Sequence, residues 1–374
     1  MFMKREKEVI MAKGRTKAEN NIASSNIVNL NELSRPIGYL RTDIAELNDK
    51  LGGLPVCMCH IGAKEGVGKT TVFLQAGITA LKYLPKEKKM LFVDFENRGN
   101  TQLYKSMCDE YGVDYSRFLF KRPLSGQDGL KEIETLMVDK NTVIIMVDSV
   151  KTVISEKNIE KSITENAAAM AGPKLLNDFL EKNINNFPNH LCLLWIDHLK
   201  ATATPGSFFS SNETKSGATV KFLSSWRVFL GRDSKGKIKH SNSDGDEITD
   251  GHHLYFDVKK TTVSPMIKIK NLVFYNGRGI TSNIYTFKKA YEYGFLEKRE
   301  ANKTTKEKAG IYYIDIKGKA WFIGKTKSEK RAWCLLNKKT HMQEIKNRIY
   351  EEGRKIFKEL MSNGFNFYDS EFNF

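Results

Sequence analysis

At 374 residues the chain is long enough for one large α/β domain with one or two small ones. Its five cysteines, scattered apart from Cys57 and Cys59, do not make a disulfide framework and suit a reducing compartment. No apolar run approaches the roughly 20 residues of a membrane span and the charged N-terminus lacks a signal-peptide core, so a cytoplasmic location is expected; the net charge of +16, about half of it in residues 288–374, points to a polyanionic partner.

Residues 1–35 form a charged segment whose apolar cluster is Val9, Ile10 and Met11, read either as a tail or as an arm that packs on a neighbouring subunit. Leu40, Ile44, Leu47 and Leu51 then fall at helical spacing before Gly52, Gly53 and Pro55 stop the pattern. From 56 to 98 the sequence reads as strand, phosphate loop, helix and strand. Cys57, Cys59 and His60 alternate along the first of these strands and so do not converge as metal ligands.

Ala63 to Thr70 (AKEGVGKT) matches G-x-x-x-x-G-K-[ST] with Ala63 in place of the first glycine. Gly66 and Gly68 let backbone N–H groups of the Lys64, Glu65, Gly66, Val67 and Gly68 stretch turn toward an anion, and the helix opening at Lys69, through Thr70 and Thr71, adds its dipole. Lys69 can reach the β- and γ-phosphates of a nucleotide, and the Thr70 hydroxyl can join a Mg²⁺ shell.

KKMLFVDFENR is a buried-strand pattern whose carboxyl end carries Asp94 and Glu96, where a carboxylate can polarise an attacking water. TVIIMVDS follows the Walker B pattern, with Asp148 supporting the metal directly or through water. Pro173 opens a helix, and LCLLWI makes a third buried strand ending at Asp197 and His198, which is placed to sense phosphate. Residues 201–219 lack any period and are read as a functional loop.

In KFLSSWRVFL, Phe222, Trp226 and Phe229 or Leu230 share one helical face, an expected core stripe. Residues 231–253 read as a polar surface loop, strands follow in LYFDVKK and MIKIKNLVFY, and a shift to Lys-rich composition after Gly279 places a domain boundary near 283. The expected domains are an arm (1–35), an ATPase core (36–283) and a basic C-terminal domain (284–374).

Several of these stretches, in collinear order from about 36 to 350, resemble the RecA-type recombinases, in the branch that includes the phage protein UvsX. The matching runs are IGYLRTDIAELNDKLGGLP, VDFE at 93–96, MVDS at 146–149, IDH at 196–198, SGATVKFLSSWRVFL, VKKTTVSP, YNGRGI, and IYYIDIKGKAWFIGKTKSEKRAWCLLN. The resemblance implies a RecA-like P-loop core with a mostly parallel sheet, a short N-terminal arm and a small α+β C-terminal domain. It implies DNA-stimulated hydrolysis of ATP with Mg²⁺, a helical filament of copies on single-stranded DNA, and pairing with double-stranded DNA, with single-strand-binding and mediator proteins as further candidate partners.

Carried over by position, Lys69 and Thr70 would bind phosphate and Mg²⁺, Asp148 would support the metal, Glu96 would activate water, and His198 would relay the γ-phosphate to the loop at 201–219. Tyr104 would stack on adenine, and Lys259 and Lys260 would reach ATP across a subunit interface, although Thr261 stands where the family's second lysine falls. DNA contacts would come from Lys157 and Lys161, and from Phe208, Phe209, Lys215, Gly217, Lys221 and Arg227 in and after the second loop. Two other ATPase classes share parts of the pattern: Lys64 to Thr71 resembles the deviant Walker A of ParA and MinD type partition ATPases, and hexameric replicative helicase motors share the core. A protein that coats DNA and keeps nucleotide only for assembly is a third, non-catalytic reading.

Overall fold

The computed structural model describes residues 38–154, 171–202, 211–214, 218–241, 246–262, 264–302, 304, 308–324 and 341–362. The expected arm, Lys157, Lys161, Phe208, Phe209, Lys215 and Gly217 lie outside the described residues.

In chain order the strands are β1 (Tyr39–Leu40), β2 (Leu54–Pro55), β3 (Met58–Ala63), β4 (Lys89–Asp94), β5 (Phe118–Lys121), β6 (Thr142–Asp148), β7 (Cys192–Thr202), β8 (Ser211–Thr214), β9 (Trp226–Ser241), β10 (Glu247–Thr261), β11 (Lys268–Tyr275), β12 (Gly279–Thr281), β13 (Leu296–Arg299), β14 (Gly310–Ile314) and β15 (Ala320–Gly324). The helices are α1 (Ala45–Leu51), α2 (Lys69–Leu81), α3 (Thr101–Tyr111), α4 (Gly126–Met137), α5 (Ala171–Ile184), α6 (Ala218–Leu223), α7 (Asn283–Glu292) and α8 (Met342–Ser362). Among the described residues ten strands form one sheet in the order β12-β11-β10-β9-β3-β7-β6-β4-β5, with β8 beside β7. From β9 to β5 every neighbouring pair on this path is parallel, and from β9 to β12 every pair is antiparallel.

The central parallel strands are largely apolar because both of their faces are covered. Along β6, Ile144 and Met146 pack into one core with Val72, Phe73 and Ile78 of α2, while Ile145 and Val147 pack into a second with Ile133 of α4 and Leu180 of α5. This is the expected RecA-like α/β core, with helices on both faces of a mostly parallel sheet. A third core draws on Phe287, Phe295, Tyr313, Ile323, Ile345 and Ile349, all from residues beyond 283, and α1 joins it to the main body where Asp49 accepts the Tyr293 hydroxyl at 3.0 Å.

Several expectations from the sequence are corrected here. The stripe in KFLSSWRVFL is not one helical face: α6 ends at Leu223, Phe222 is 76% exposed, and from Trp226 the chain alternates as a strand with Trp226, Val228 and Leu230 buried. Pairing of β9 with both β3 and β10 outweighs a helical spacing that the same residues also satisfy. The polar stretch 231–253 is not a loop but most of a long hairpin, because β9 and β10 stay paired from Trp226 opposite Thr261 out to Ser241 opposite Glu247. The stretch 201–219 is not structureless throughout, since β7 runs on to Thr202 and pairs antiparallel with β8, Leu199 opposite Thr214. The first helix is shorter than its apolar spacing suggests: Leu40 belongs to β1, and the helix proper begins at Ala45, with Leu40, Ile44, Leu47 and Leu51 all buried.

Candidate active site

Parallel pairing brings the carboxyl ends of four strands to one edge. Ala63 is level with His198, Asp94 with Asp148, and Asp148 with Ile196. The phosphate loop leaves β3 with Gly66 at φ 71° and Gly68 at φ 99°, left-handed values that favour glycine. Gly68 is needed twice, since a Cβ there would also lie 2.5 Å from the Phe274 ring. Helix α2 then starts at Lys69, whose side chain is buried.

Two oxygens of Asp148 are used differently. One accepts the Thr70 hydroxyl in a short hydrogen bond, and the other, Oδ1, is buried with no hydrogen-bond partner. Burial raises the Asp148 carboxyl above its ordinary pKa, against the pull of Thr70 and Lys69. A buried carboxylate oxygen with free lone pairs next to a hydroxyl is an incomplete shell of hard oxygen donors, so the residues present fit Mg²⁺.

Beyond Asp148 the chain turns through a cis peptide to Ser149, and the N–H groups of Phe95 and Glu96 donate to the Asp148 carbonyl at 2.7 and 3.3 Å. This ties the end of β4 to that of β6. Asn97 follows at φ 54°, a left-handed value that asparagine tolerates, and turns the chain back directly after Glu96. Glu96 Oε1 accepts from the Ser149 hydroxyl at 2.8 Å and lies 2.6 Å from His198 Nε2. The His198 hydrogen bond pulls the Glu96 carboxyl down to about 2, with Ser149 helping and burial opposing.

Lys64 and Glu65 are exposed at the mouth of a cavity of about 530 Å³ that Tyr255, Asp257 and Lys259 also line. Lys259 pairs with Asp257 at 2.7 Å, whereas Lys260 Nζ donates to the Phe222 carbonyl at 2.6 Å and so caps the end of α6. Arg227 is half-buried and lies over the Phe229 ring at 5.0 Å. Lys221 is half-buried on α6. Tyr104 departs from the expected stacking face: it is 6% exposed, edge-on to Phe92 and tilted against Phe118 and Phe120, so its ring is committed to the core.

Two residues that sequence reasoning missed hold the phosphate loop from outside. Arg232 Nη2 donates to the Gly66 carbonyl at 2.9 Å, and buried His252 places Nε2 3.1 Å from the Val67 carbonyl while its ring packs on Phe274. Burial lowers the His252 imidazole pKa, and the Val67 carbonyl opposes the shift. A signal for His252 was present: Leu254, Phe256 and Val258 alternate inward along the same strand, which puts His252 on the buried face.

A model of the RecA N-terminal domain matches residues 11–281. The chain belongs to the RecA family. Among its RecA relatives, Protein RecA of Wigglesworthia glossinidia brevipalpis is 27% identical over 357 residues, 94% of this chain and 98% of that one. Protein RecA of Mycoplasma genitalium is 26% identical over 246 residues, 63% of this chain and 69% of that one. In this RecA-family chain the matched segment includes all of the strand ends described above. No helix among the described residues is long and apolar enough to cross a membrane.

Proposed function

We propose that this chain is an ATP-dependent recombinase of the UvsX-like branch, which polymerises on single-stranded DNA, hydrolyses ATP in response to that strand and pairs it with a homologous duplex. The observation that carries this reading is the course of β7. It sets His198 against Glu96 at 2.6 Å and, from the next residue on, becomes a ribbon with β8, from Leu199 opposite Thr214 to Thr202 opposite Ser211. One strand therefore runs from the nucleotide edge of the sheet to the candidate DNA loop.

In this account the phosphate loop N–H groups and Lys69 bind the β- and γ-phosphates, and Thr70 and Asp148 hold Mg²⁺, which when bound neutralises phosphate charge. Glu96 is the base that orients the attacking water. Its low pKa when paired with His198 makes it a weak base, so the pair is a resting state. A γ-phosphate competes for His198 Nε2, which leaves Glu96 Oε1 with Ser149 alone and shifts the end of β7. Strand position and hydrolysis are then linked in both directions.

Of the two candidate lysines, Lys259 is the better placed to reach the ATP of a neighbouring copy, because its side chain is 44% exposed, while Lys260 is engaged by α6. Partners are single- and double-stranded DNA and further copies in a helical filament, with single-strand-binding and mediator proteins as candidates, in a bacterial or phage-infected cytoplasm. The test is joint-molecule formation. With ATP and Mg²⁺ the protein should join a single strand to a homologous duplex and not to a heterologous one; equal products from both would remove the recombinase reading.

A further inference from the structure

Two fully buried ionisable side chains lie behind the site, and none of the roles above uses them. His60 on β3 and Asp197 on β7 are both 0% exposed, and His60 Nε2 lies 3.2 Å from Asp197 Oδ2. The other carboxylate oxygen accepts the backbone N–H of His198 at 2.7 Å. Asp197 thus links the strand that feeds the phosphate loop to the backbone of the residue that contacts Glu96.

Register explains how the pair meets. His60 is level with Trp195 and Gly62 with Asp197, so the two side chains share a face two residues apart and His60 reaches forward past Gly62. Gly62 itself leaves room for its neighbours, since a Cβ there would come within 2.9 Å of the Phe229 ring and 3.0 Å of Leu199 Cδ2. On the far side of β3, Arg227 is level with His60; burial lowers its pKa, and the Asp197 charge opposes that shift.

Burial lowers the His60 pKa while Asp197 opposes it, so the neutral ring donates from Nε2. That leaves Nδ1, which is buried with no hydrogen-bond partner. An empty buried acceptor costs stability, and a well-packed apolar pair in place of both His60 and Asp197 would avoid that cost. The penalty directs attention to what the bond does.

We infer that His60 is a positioning residue: by holding Asp197 it pins β7 at the root of the β7–β8 ribbon, so that a displacement of the ribbon is delivered to His198 instead of being absorbed further back. The inference rests on the proposed role of β7 as the link between DNA and ATP. His60 touches neither the phosphate loop nor Thr70, Asp148 or Glu96, so its loss should uncouple DNA from hydrolysis without weakening the nucleotide site.

The experiment compares His60→Gln, whose amide nitrogen reaches the position of imidazole Nε2, with His60→Asn, whose amide stops short. Steady-state ATP turnover is measured with and without a single-stranded oligonucleotide, below the melting temperature of every variant. H60N should lose about tenfold in stimulation by DNA, the size expected for one charge-assisted hydrogen bond, while its KM for ATP without DNA and the stimulation of H60Q stay within about twofold of wild type. His60→Leu, which keeps volume and lacks a donor, should match H60N and replaces it if H60N does not fold. A merely structural role would lower turnover with and without DNA together and would track melting temperature. The inference is overturned if H60N and H60L, neither of which can donate to Asp197, keep wild-type stimulation, or if H60Q falls as far as they do. A wild-type protein with no stimulation would instead remove the recombinase reading, and the pin with it.

Discussion

The two halves of the main sheet use the same backbone for different ends. In the parallel half, β5-β4-β6-β7-β3, every strand end near the phosphate loop carries a side chain suited to chemistry: Glu96, Asp148, His198 and, after β3, Lys69. In the antiparallel half, β9 to β12, the residues nearest the loop are Arg232, His252 and Phe274, which hold its carbonyls and fill the space left by Gly68. A loop with two left-handed glycines packs through Val67 alone among its exposed neighbours Lys64, Glu65 and Gly66. The antiparallel half supplies that rigidity from the side, so the chemistry and its support come from segments far apart in sequence.

If this division is right, substitutions in the two halves should differ in kind as well as size. Lys69→Ala removes a donor aimed at developing phosphate charge and should lower kcat for ATP hydrolysis by about 100- to 1000-fold with the fold intact, as circular dichroism would check. Glu96→Gln should lower kcat about a hundredfold, the scale of a general base, with ATP affinity measured by titration nearly unchanged. Arg232→Ala should act on binding instead, raising KM for ATP by about three- to tenfold with kcat little altered, since an exposed hydrogen bond to a carbonyl is modest in water. A larger loss in kcat than in KM would place Arg232 with the chemistry and break the comparison.

The smallest effect is on pH-dependent stability. Because His198 holds Glu96 at a folded pKa of about 2, below the ordinary carboxylate value near 4.3, the pair adds stability that is fully present above about pH 4.3 and is lost as pH falls through 2. The melting temperature of His198→Ala should lie below that of wild type at pH 5, and the gap should close as the pH is lowered toward 2. A gap that is constant with pH would mean that the His198–Glu96 contact does not set the carboxylate.

Much of the parallel half could be read in the sequence because each part is contiguous. A run of apolar residues covered on both faces, followed by GKT, by a carboxylate or by Asp-His, places the strand and its functional end together. The antiparallel half could not be read this way. Arg232 and His252 act on carbonyls 166 and 185 residues away, and no local pattern encodes that distance. WRVFL misled for a related reason, since its residues satisfy both a helical spacing and an alternation, and the strand wins through pairing with β3 and β10. Position alone points Tyr104 at adenine, whereas the neighbouring Phe92, Phe118 and Phe120 decide its surroundings.

The claim on which the account depends is that β7 couples a bound strand to the nucleotide edge. ATP turnover by the purified chain with Mg²⁺, measured with and without single-stranded DNA, tests it most directly. The account predicts turnover well above the DNA-free rate once the strand is added. Nucleotide bound with the loop and Asp148 intact, yet hydrolysed at one unchanging rate whether or not DNA is present, would contradict it.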